Sequence, residues 1–130
     1  MKQRILVVDD EEQVRDLLCF YFRKHGFEAS IATSSVETLA ALATQRPDLI
    51  VLDIGLDEED GLGVLAKIKQ KYPDQRVVML TGMGLVEDLL QEAQDKGADG
   101  YVSKVLPLDE LLTTVQRLIA PVMESKSSKL

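Results

Sequence analysis

Carboxylate, hydroxyl and ammonium groups stand at the ends of four short apolar runs in this sequence. Such runs are typical of strands that are buried on both faces of a parallel sheet. The carboxyl ends of parallel strands meet at one edge of the sheet, where open α/β sheets bind ligands. We therefore expect these side chains to share one crevice. They are Asp9, Asp10, Asp53, Thr81 and Lys104.

The chemistry that suits such a crevice is phosphoryl transfer. Packed carboxylates repel one another, and one would stay protonated unless a cation lies between them. Mg²⁺ accepts a few carboxylates, keeps some waters and commonly bridges to a phosphate. The Thr81 hydroxyl and the Lys104 ammonium suit phosphoryl oxygens. Asp53 would be the nucleophile, because a carboxylate can form an acyl phosphate while a metal neutralises charge.

Five apolar runs alternate with five amphipathic segments. This alternation predicts an α/β fold with a doubly wound parallel five-stranded sheet and helices on both faces. By analogy with the flavodoxin-like (βα)5 type, we expect the strand order 2-1-3-4-5. The predicted strands are 5–8, 27–32, 48–53, 77–80 and 101–103.

Helical spacing predicts which side chains face the core. Gly26 and Gly97 are expected to end the first and fourth helices, and Ser34 or Ser35 to cap the second. The first helix should bury Val14, Leu17, Leu18, Tyr21 and Phe22, and the second should turn Val36, Leu39, Ala40 and Ala43 inward.

Composition limits the possible functions. A chain of 130 residues fits one domain. Its formal net charge of -7 argues against direct binding to nucleic acid or to an anionic membrane. No run reaches the length of a membrane span, and the start of the chain lacks a signal-peptide core, so we expect a cytoplasmic protein. Cys19 is the single cysteine and is expected to pack inertly.

Taken in order, the motifs resemble the receiver domain of two-component response regulators, over roughly residues 3 to 120. We expect this domain at 1–121 and a polar tail or linker at 122–130. The combined order and spacing are specific, although each piece alone is weak. The pieces are VDDE at 8–11, LDIGL at 52–56 closing with DG at 60–61, MLTG at 79–82, and GADGY at 97–101 leading to Lys104.

The resemblance implies a role for each site residue. Asp53 would receive a phosphoryl group from a sensor histidine kinase or a histidine phosphotransfer protein. Thr81 and Lys104 would contact that group. Mg²⁺ would be held by Asp9, Asp10, Asp53 and the Gly55 backbone carbonyl. A receiver of this kind is a phosphoacceptor switch and not an enzyme, with at most slow self-dephosphorylation.

The resemblance also implies how the signal would leave the domain. Thr81 and Tyr101 would move together and alter the face formed by helix 4, strand 5 and helix 5. The added charge of about -1.5 to -2 would bias a two-state packing. A downstream protein target would bind this face. The same face would serve a homodimer, although Gly100 stands where one dimer-forming subfamily often has a second acid.

The chain departs from the family pattern after Lys104 and in the loop after Asp53. The family usually has a cis proline after the lysine, whereas Val105 follows here. A cis bond without proline costs roughly 3–4 kcal/mol, so we expect a trans 104–105 bond. Asp57 and Glu59 replace a common proline and methionine. The acidic segment 57–60 would repel phosphodonors, attract a basic partner or simply be solvated.

Gly55 and Met83 occupy positions where polar side chains can help to place hydrolytic water. Their lack of such groups predicts slow self-dephosphorylation.

Other functions fit the sequence less well. An aspartyl phosphatase would want a second acid where Gly55 stands. A flavin carrier of similar topology would need a phosphate-binding first loop, but the acids at 9–12 would repel a phosphate. The main alternative is a degenerate receiver that acts as a phosphorylation-independent protein-binding module. The acidic loop and Val105 favour this alternative, and the intact Asp53, Thr81 and Lys104 oppose it.

Overall fold

The computed structural model describes residues 2–56, 59–82, 87–104 and 108–119. In these ranges five strands alternate with five helices, as the sequence pattern predicted. The strands are β1 (Arg4–Val8), β2 (Glu28–Ala32), β3 (Leu49–Asp53), β4 (Arg76–Thr81) and β5 (Gly100–Ser103). The helices are α1 (Glu12–Lys24), α2 (Ser35–Thr44), α3 (Gly61–Lys71), α4 (Glu87–Asp95) and α5 (Leu108–Ile119).

All strand pairs in the sheet are parallel, and the strand order is β2-β1-β3-β4-β5. This confirms the predicted order. β1 and β3 are neighbours although they are not consecutive, so a topological switch lies between them. The register aligns Val8 with Leu52 and Thr81 with Ser103. The carboxyl ends of the four strands that carry the predicted site therefore lie nearly level.

Helices cover both faces of the sheet. Alternate residues of each central strand point to opposite sides, so Leu6 and Ile50 join one apolar cluster and Ile5 and Leu49 join the other. Helices α2, α3 and α4 complete the first cluster, and α1 and α5 complete the second. Every residue of β3 is buried, because this strand is central and covered on both faces.

The predicted inward face of α2 is wrong for three of its four residues, whereas Leu39 is partly buried and packs against the core. Val36 is 76% exposed, and Ala40 and Ala43 are also exposed. The helix instead buries Ser35, Thr38 and Leu42. Thr38 can be buried because its hydroxyl donates a hydrogen bond to the Ser34 carbonyl at 2.7 Å. Both stripes fit the helical period, and short alanine side chains decide little between them.

In α1 the prediction is wrong for one core residue. Leu17 is 53% exposed, whereas Leu18 and Phe22 are buried as predicted. Cys19 is also buried, and this burial raises the pKa of its thiol, which agrees with inert packing. The buried stripe is therefore narrower than the one that we predicted from the spacing of large apolar residues.

The helix ends agree with the sequence. Gly26 and Gly97 have φ values of 93° and 97° and follow the ends of α1 and α4. This left-handed conformation favours glycine. At the start of α2, the Ser34 hydroxyl accepts a hydrogen bond from the Glu37 N–H. None of the described helices has the length and apolar character needed to cross a membrane.

Candidate functional site

The fold brings the predicted chemical residues to one edge of the sheet. Asp53 ends β3 and Thr81 ends β4, while Asp9 and Lys104 directly follow β1 and β5. Asp9 and Asp53 are 0% and 3% exposed, and Thr81 is also buried. Asp10 is only partly buried. The crevice therefore holds ionisable groups that are largely shielded from solvent.

The side chain of Lys104 contacts three carboxylates in this crevice. Its Nζ lies 2.9 Å from Asp9 Oδ2, 3.1 Å from Asp53 Oδ2 and 3.3 Å from Glu11 Oε1. The backbone N–H of Lys104 donates to the Thr81 carbonyl at 2.7 Å, which fixes the lysine beside β4. Sequence reasoning missed the Glu11 contact, and the only signal for it was the acidic run after β1.

Three carboxylates are placed to share a metal ion. One oxygen from each of Asp9, Asp10 and Asp53 lies within 4.8 Å of the others. Asp9 is oriented by the Glu11 N–H, which donates to Asp9 Oδ1 at 2.9 Å. A set of carboxylate oxygens suits a hard divalent cation such as Mg²⁺, which keeps waters as its remaining ligands. The donor atoms therefore fit the predicted metal.

The pKa of Asp53 reflects its surroundings. Burial and the nearby charge of Asp9 raise this pKa, and Lys104 and the Gly55 N–H oppose the shift. Burial also lowers the pKa of Lys104, but hydrogen bonds and charges from Asp9 and Asp53 outweigh burial and raise it overall. The lysine is therefore fully charged at neutral pH, and it offsets only part of the cost of ionising Asp53.

The described residues between β3 and α3 (54–56 and 59–60, the β3–α3 loop) are joined to the site by several hydrogen bonds. The Gly55 N–H donates to Asp53 Oδ1 at 3.1 Å, and the Ile54 N–H donates to the Leu80 carbonyl at 2.9 Å. Gly55 also pairs with Asp60 in an isolated antiparallel bridge. These contacts hold Gly55 next to the acceptor aspartate, where its carbonyl was predicted to be a metal ligand.

Gly61 is a structural requirement that the sequence indicated only as part of the motif closing at 60–61. A Cβ built at this position would lie 2.1 Å from the Asp53 carbonyl oxygen and 2.6 Å from Ile54 Cα. Both neighbours are backbone atoms, so they cannot move aside cheaply. The sequence signal was the Asp60-Gly61 pair, in which Asp60 caps α3 by accepting from the Leu62 N–H.

Thr81 and Tyr101 are neighbours across β4 and β5. The hydroxyl of Tyr101 is buried. This burial raises the pKa of Tyr101, and the nearby Thr81 side chain opposes the shift. The Tyr101 hydroxyl has no hydrogen-bond partner among the described residues, so the two predicted switch residues are close neighbours.

Several predictions fall on residues outside the described ranges. These are the trans bond between Lys104 and Val105, the acidic residues Asp57 and Glu58, and the position of Met83. They stay predictions.

The arrangement of an acidic pair, an acceptor aspartate, a hydroxyl and a lysine has a counterpart in a known family. The family model for the response regulator receiver domain matches residues 5–116. The chain belongs to the response regulator receiver domain family. Receiver domains are phosphoacceptor switches of two-component signalling, and they accept phosphoryl groups from histidine kinases or phosphotransfer proteins. They bind Mg²⁺ through an acidic pocket, to which the three aspartates correspond here.

One of two similar curated proteins is about as long as this chain, and the other is much longer. The sporulation initiation phosphotransferase F of Bacillus subtilis is 31% identical over 119 residues, which are 92% of this chain and 95% of that protein. A putative NtrX-like response regulator of Rickettsia bellii is 35% identical over 115 residues. The matched part is 87% of this chain but only 24% of that relative.

Solved structures share the fold. A CheY-like receiver domain protein from Methanospirillum hungatei has a TM-score of 0.87 and 26% identity, over 96% of this chain and 99% of that chain. The response regulator TrrA of Thermotoga maritima, solved with Mg²⁺ and BeF, has a TM-score of 0.79 and 34% identity. That match covers 89% of this chain and 98% of the TrrA chain.

Proposed function

We propose that this receiver accepts a phosphoryl group on Asp53 in a Mg²⁺-dependent reaction, from a sensor histidine kinase or a histidine phosphotransfer protein. The observation that carries the proposal is the position of Lys104, whose Nζ lies 3.1 Å from the Asp53 carboxylate within a cluster of three aspartates. The relative solved with Mg²⁺ and BeF supports the same chemistry.

In this proposal each residue has a distinct task. A carboxylate oxygen of Asp53 attacks the phosphorus, the bond from phosphorus to the donor histidine nitrogen breaks, and its electron pair stays on that nitrogen. The Lys104 ammonium and the Thr81 hydroxyl donate hydrogen bonds to the transferred oxygens. The predicted metal ligands are Asp9, Asp10, Asp53 and the Gly55 carbonyl. When bound, Mg²⁺ would neutralise the charge that develops during transfer.

We propose that the output follows from the proximity of Thr81 and Tyr101. A phosphoryl group that draws the Thr81 hydroxyl toward Asp53 would remove the polar neighbour of the Tyr101 hydroxyl. The side chain of Tyr101 would then respond, which changes the face of α4, β5 and α5 that a downstream protein binds. A homodimer through this face, the domain limits 1–121 and 122–130, and a cytoplasmic location stay predictions.

The phosphoryl acceptor can be tested by intact mass spectrometry. We expect one phosphoryl adduct after incubation with acetyl phosphate and Mg²⁺, because Asp53 is the only acceptor proposed here. The adduct should be absent without Mg²⁺ and absent in Asp53→Asn. If neither acetyl phosphate nor a histidine-phosphorylated donor gives an adduct, the chain is the degenerate protein-binding module, and the acidic segment 57–60 becomes the region to examine.

Slow self-dephosphorylation can be tested with the variant Gly55→Asn, Met83→Glu. An added Cβ at Gly55 meets no heavy atom within 4 Å, so the backbone surroundings leave space for a side chain to begin there. A polar group that places water should shorten the phosphoryl lifetime by about tenfold, below the range for a full general base. The decay of the adduct after removal of donor measures this lifetime. A variant that decays no faster than the wild type contradicts the prediction.

A further inference from the structure

Glu59 connects the β3–α3 loop to the first residue of α2. Its Oε1 accepts a hydrogen bond from the Ser35 N–H at 2.7 Å. The other carboxylate oxygen lies 3.8 Å from Lys67 Nζ on α3. The Glu59 side chain is 26% exposed, while Ser35 is buried. One acidic side chain thus joins two segments that are 24 residues apart.

The contact is chemically well matched. The first N–H groups of a helix have no partner within the helix, and the helix dipole favours a negative charge at this end. Hydrogen bonds from the Ser35 side chain and backbone hold the pKa of Glu59 below its usual value. Glu59 is therefore not simply a solvated member of the acidic segment 57–60.

Both ends of this contact are close to the predicted metal ligands. Glu59 precedes Asp60, whose backbone pairs with Gly55. On the other side, the segment that leads into Ser35 begins after Ala32, whose carbonyl accepts a hydrogen bond from the Asp9 N–H at 3.2 Å. The contact thus joins the loop that carries Gly55 to the segment that supports Asp9.

We propose that Glu59 is a positioning residue: by binding the N-terminus of α2, it holds the β3–α3 loop and the Gly55 carbonyl where Mg²⁺ binding requires them. The inference rests on the proposed function, because it assigns Glu59 a part in forming that metal site. Glu59 itself contacts neither the metal nor the phosphoryl group in this proposal.

Two substitutions separate the hydrogen bond from the charge. Glu59→Gln removes the charge but keeps an oxygen that can accept from Ser35. Glu59→Ala removes both. Any general effect of less negative charge at the mouth is common to the two variants, so the difference between them reports the hydrogen bond. Partners that orient metal ligands are worth about 10- to 100-fold in affinity, and we expect about tenfold weaker Mg²⁺ binding in Glu59→Ala than in Glu59→Gln.

The chain offers a matched control at the same helix end. Glu37 Oε1 accepts hydrogen bonds from the Thr33 N–H at 2.7 Å and from the Thr33 hydroxyl at 2.9 Å. These two hydrogen bonds lower the pKa of Glu37. Unlike Glu59, Glu37 belongs to α2 itself and has no described contact with the β3–α3 loop. Glu37→Ala should therefore weaken the start of α2 but keep the hydrogen bond between Glu59 and Ser35, so we expect it to lower the Mg²⁺ affinity less than Glu59→Ala does.

Two measurements on the full chain decide the proposal. Isothermal titration with Mg²⁺ gives the affinity of each variant, and hydrogen exchange gives the protection of the Ser35 amide without metal. We expect Glu59→Ala to bind Mg²⁺ more weakly and to lose protection at the Ser35 amide. Glu59→Gln should keep most of the Mg²⁺ affinity and most of the protection. Equal Mg²⁺ affinity in the two Glu59 variants, or an equal loss in Glu37→Ala, would overturn the positioning role.

The outcomes also separate this inference from the proposed function. If the wild type itself binds no Mg²⁺ and gains no phosphoryl adduct, the proposed function fails. This holds for any level of protection at the Ser35 amide. If the wild type binds Mg²⁺ and is phosphorylated while the two Glu59 variants match each other in affinity, only the role of Glu59 fails.

Discussion

Gly61→Ala is expected to destabilise the domain by about 3 kcal/mol or more, as overpacking against a rigid backbone does at its upper limit. The added methyl group would lie 2.1 Å from the Asp53 carbonyl oxygen and 2.9 Å from the Asp53 carbonyl carbon. Relief of this clash requires either the start of α3 or the end of β3 to move. Molecules that remain folded should therefore carry a displaced Asp53 and accept phosphoryl groups poorly.

Gly63→Ala is the matched control, because it adds the same methyl group to the same helix. A Cβ at Gly63 meets no heavy atom within 4 Å. Alanine is also a better helix former, so this variant should be neutral or more stable by up to about 1 kcal/mol. Urea unfolding of the two variants measures the difference. Similar stabilities for both would show that the space at Gly61 is not limiting.

Lys104→Met is expected to cost about 3 kcal/mol at pH 7 without metal, as the loss of one partner of a buried ion pair does. The lysine side chain is 18% exposed and contacts the carboxylates of Asp9 and Asp53. Methionine fills similar space but leaves both carboxylates without their cation. By comparison, Lys96→Met removes the 3.9 Å pair between the partly exposed Lys96 and the exposed Glu92. This substitution should cost no more than about 0.5 kcal/mol.

The loss in Lys104→Met should depend on pH in a definite direction. The pKa of Asp53 is already raised in the folded state by burial and by Asp9, and removal of the lysine raises it further. Protonated Asp53 therefore stabilises the fold at a pH below its unfolded pKa, and this stabilisation is lost as the pH rises through the folded pKa. The variant should lose stability from acidic toward neutral pH more steeply than the wild type.

Adding Asp53→Asn to Lys104→Met removes the ionisation and should restore at least about 1 kcal/mol at pH 7, with a flatter pH profile. Mg²⁺ should also stabilise Lys104→Met, because it replaces the missing positive charge and binds only the folded state. Thermal unfolding in chelator and in Mg²⁺, across pH, measures both effects. A parallel pH profile for the wild type and Lys104→Met would refute this account of Asp53.

Most of the fold was predictable because the sequence pattern is strong where burial is complete. Every residue of β3 is buried, so an uninterrupted apolar run marked it, and its polar last residue marked the site. The face of α2 was not predictable from the same logic. In α2, the short alanine side chains can lie on the buried or the exposed face of the helix. Thr38 can be buried because the Ser34 carbonyl accepts a hydrogen bond from its hydroxyl.

The site was predictable in its residue types but not in its supporting contacts. Strand ends indicated Asp53, Thr81 and Lys104, their side-chain chemistry indicated phosphoryl transfer, and the family resemblance added the phosphodonor and the Gly55 carbonyl as a metal ligand. The contact between Glu59 and Ser35 has no sequence signal, because it depends on how two loops lie in space. The need for glycine at position 61 likewise depends on the path of the Asp53 backbone, which no pattern of side chains records.

The contacts of Lys104 have a consequence for how the protein is made. This lysine meets Glu11 across 93 residues of sequence and Asp53 across 51. A chain emerging from the ribosome therefore carries an acceptor aspartate long before it carries the lysine that completes the crevice. Contacts of such long sequence separation carry a cost in loop-closure entropy, and folds that depend on them form slowly. If acceptance of a phosphoryl group needs Lys104, an incomplete chain that ends before β5 carries the acceptor aspartate but cannot yet use it.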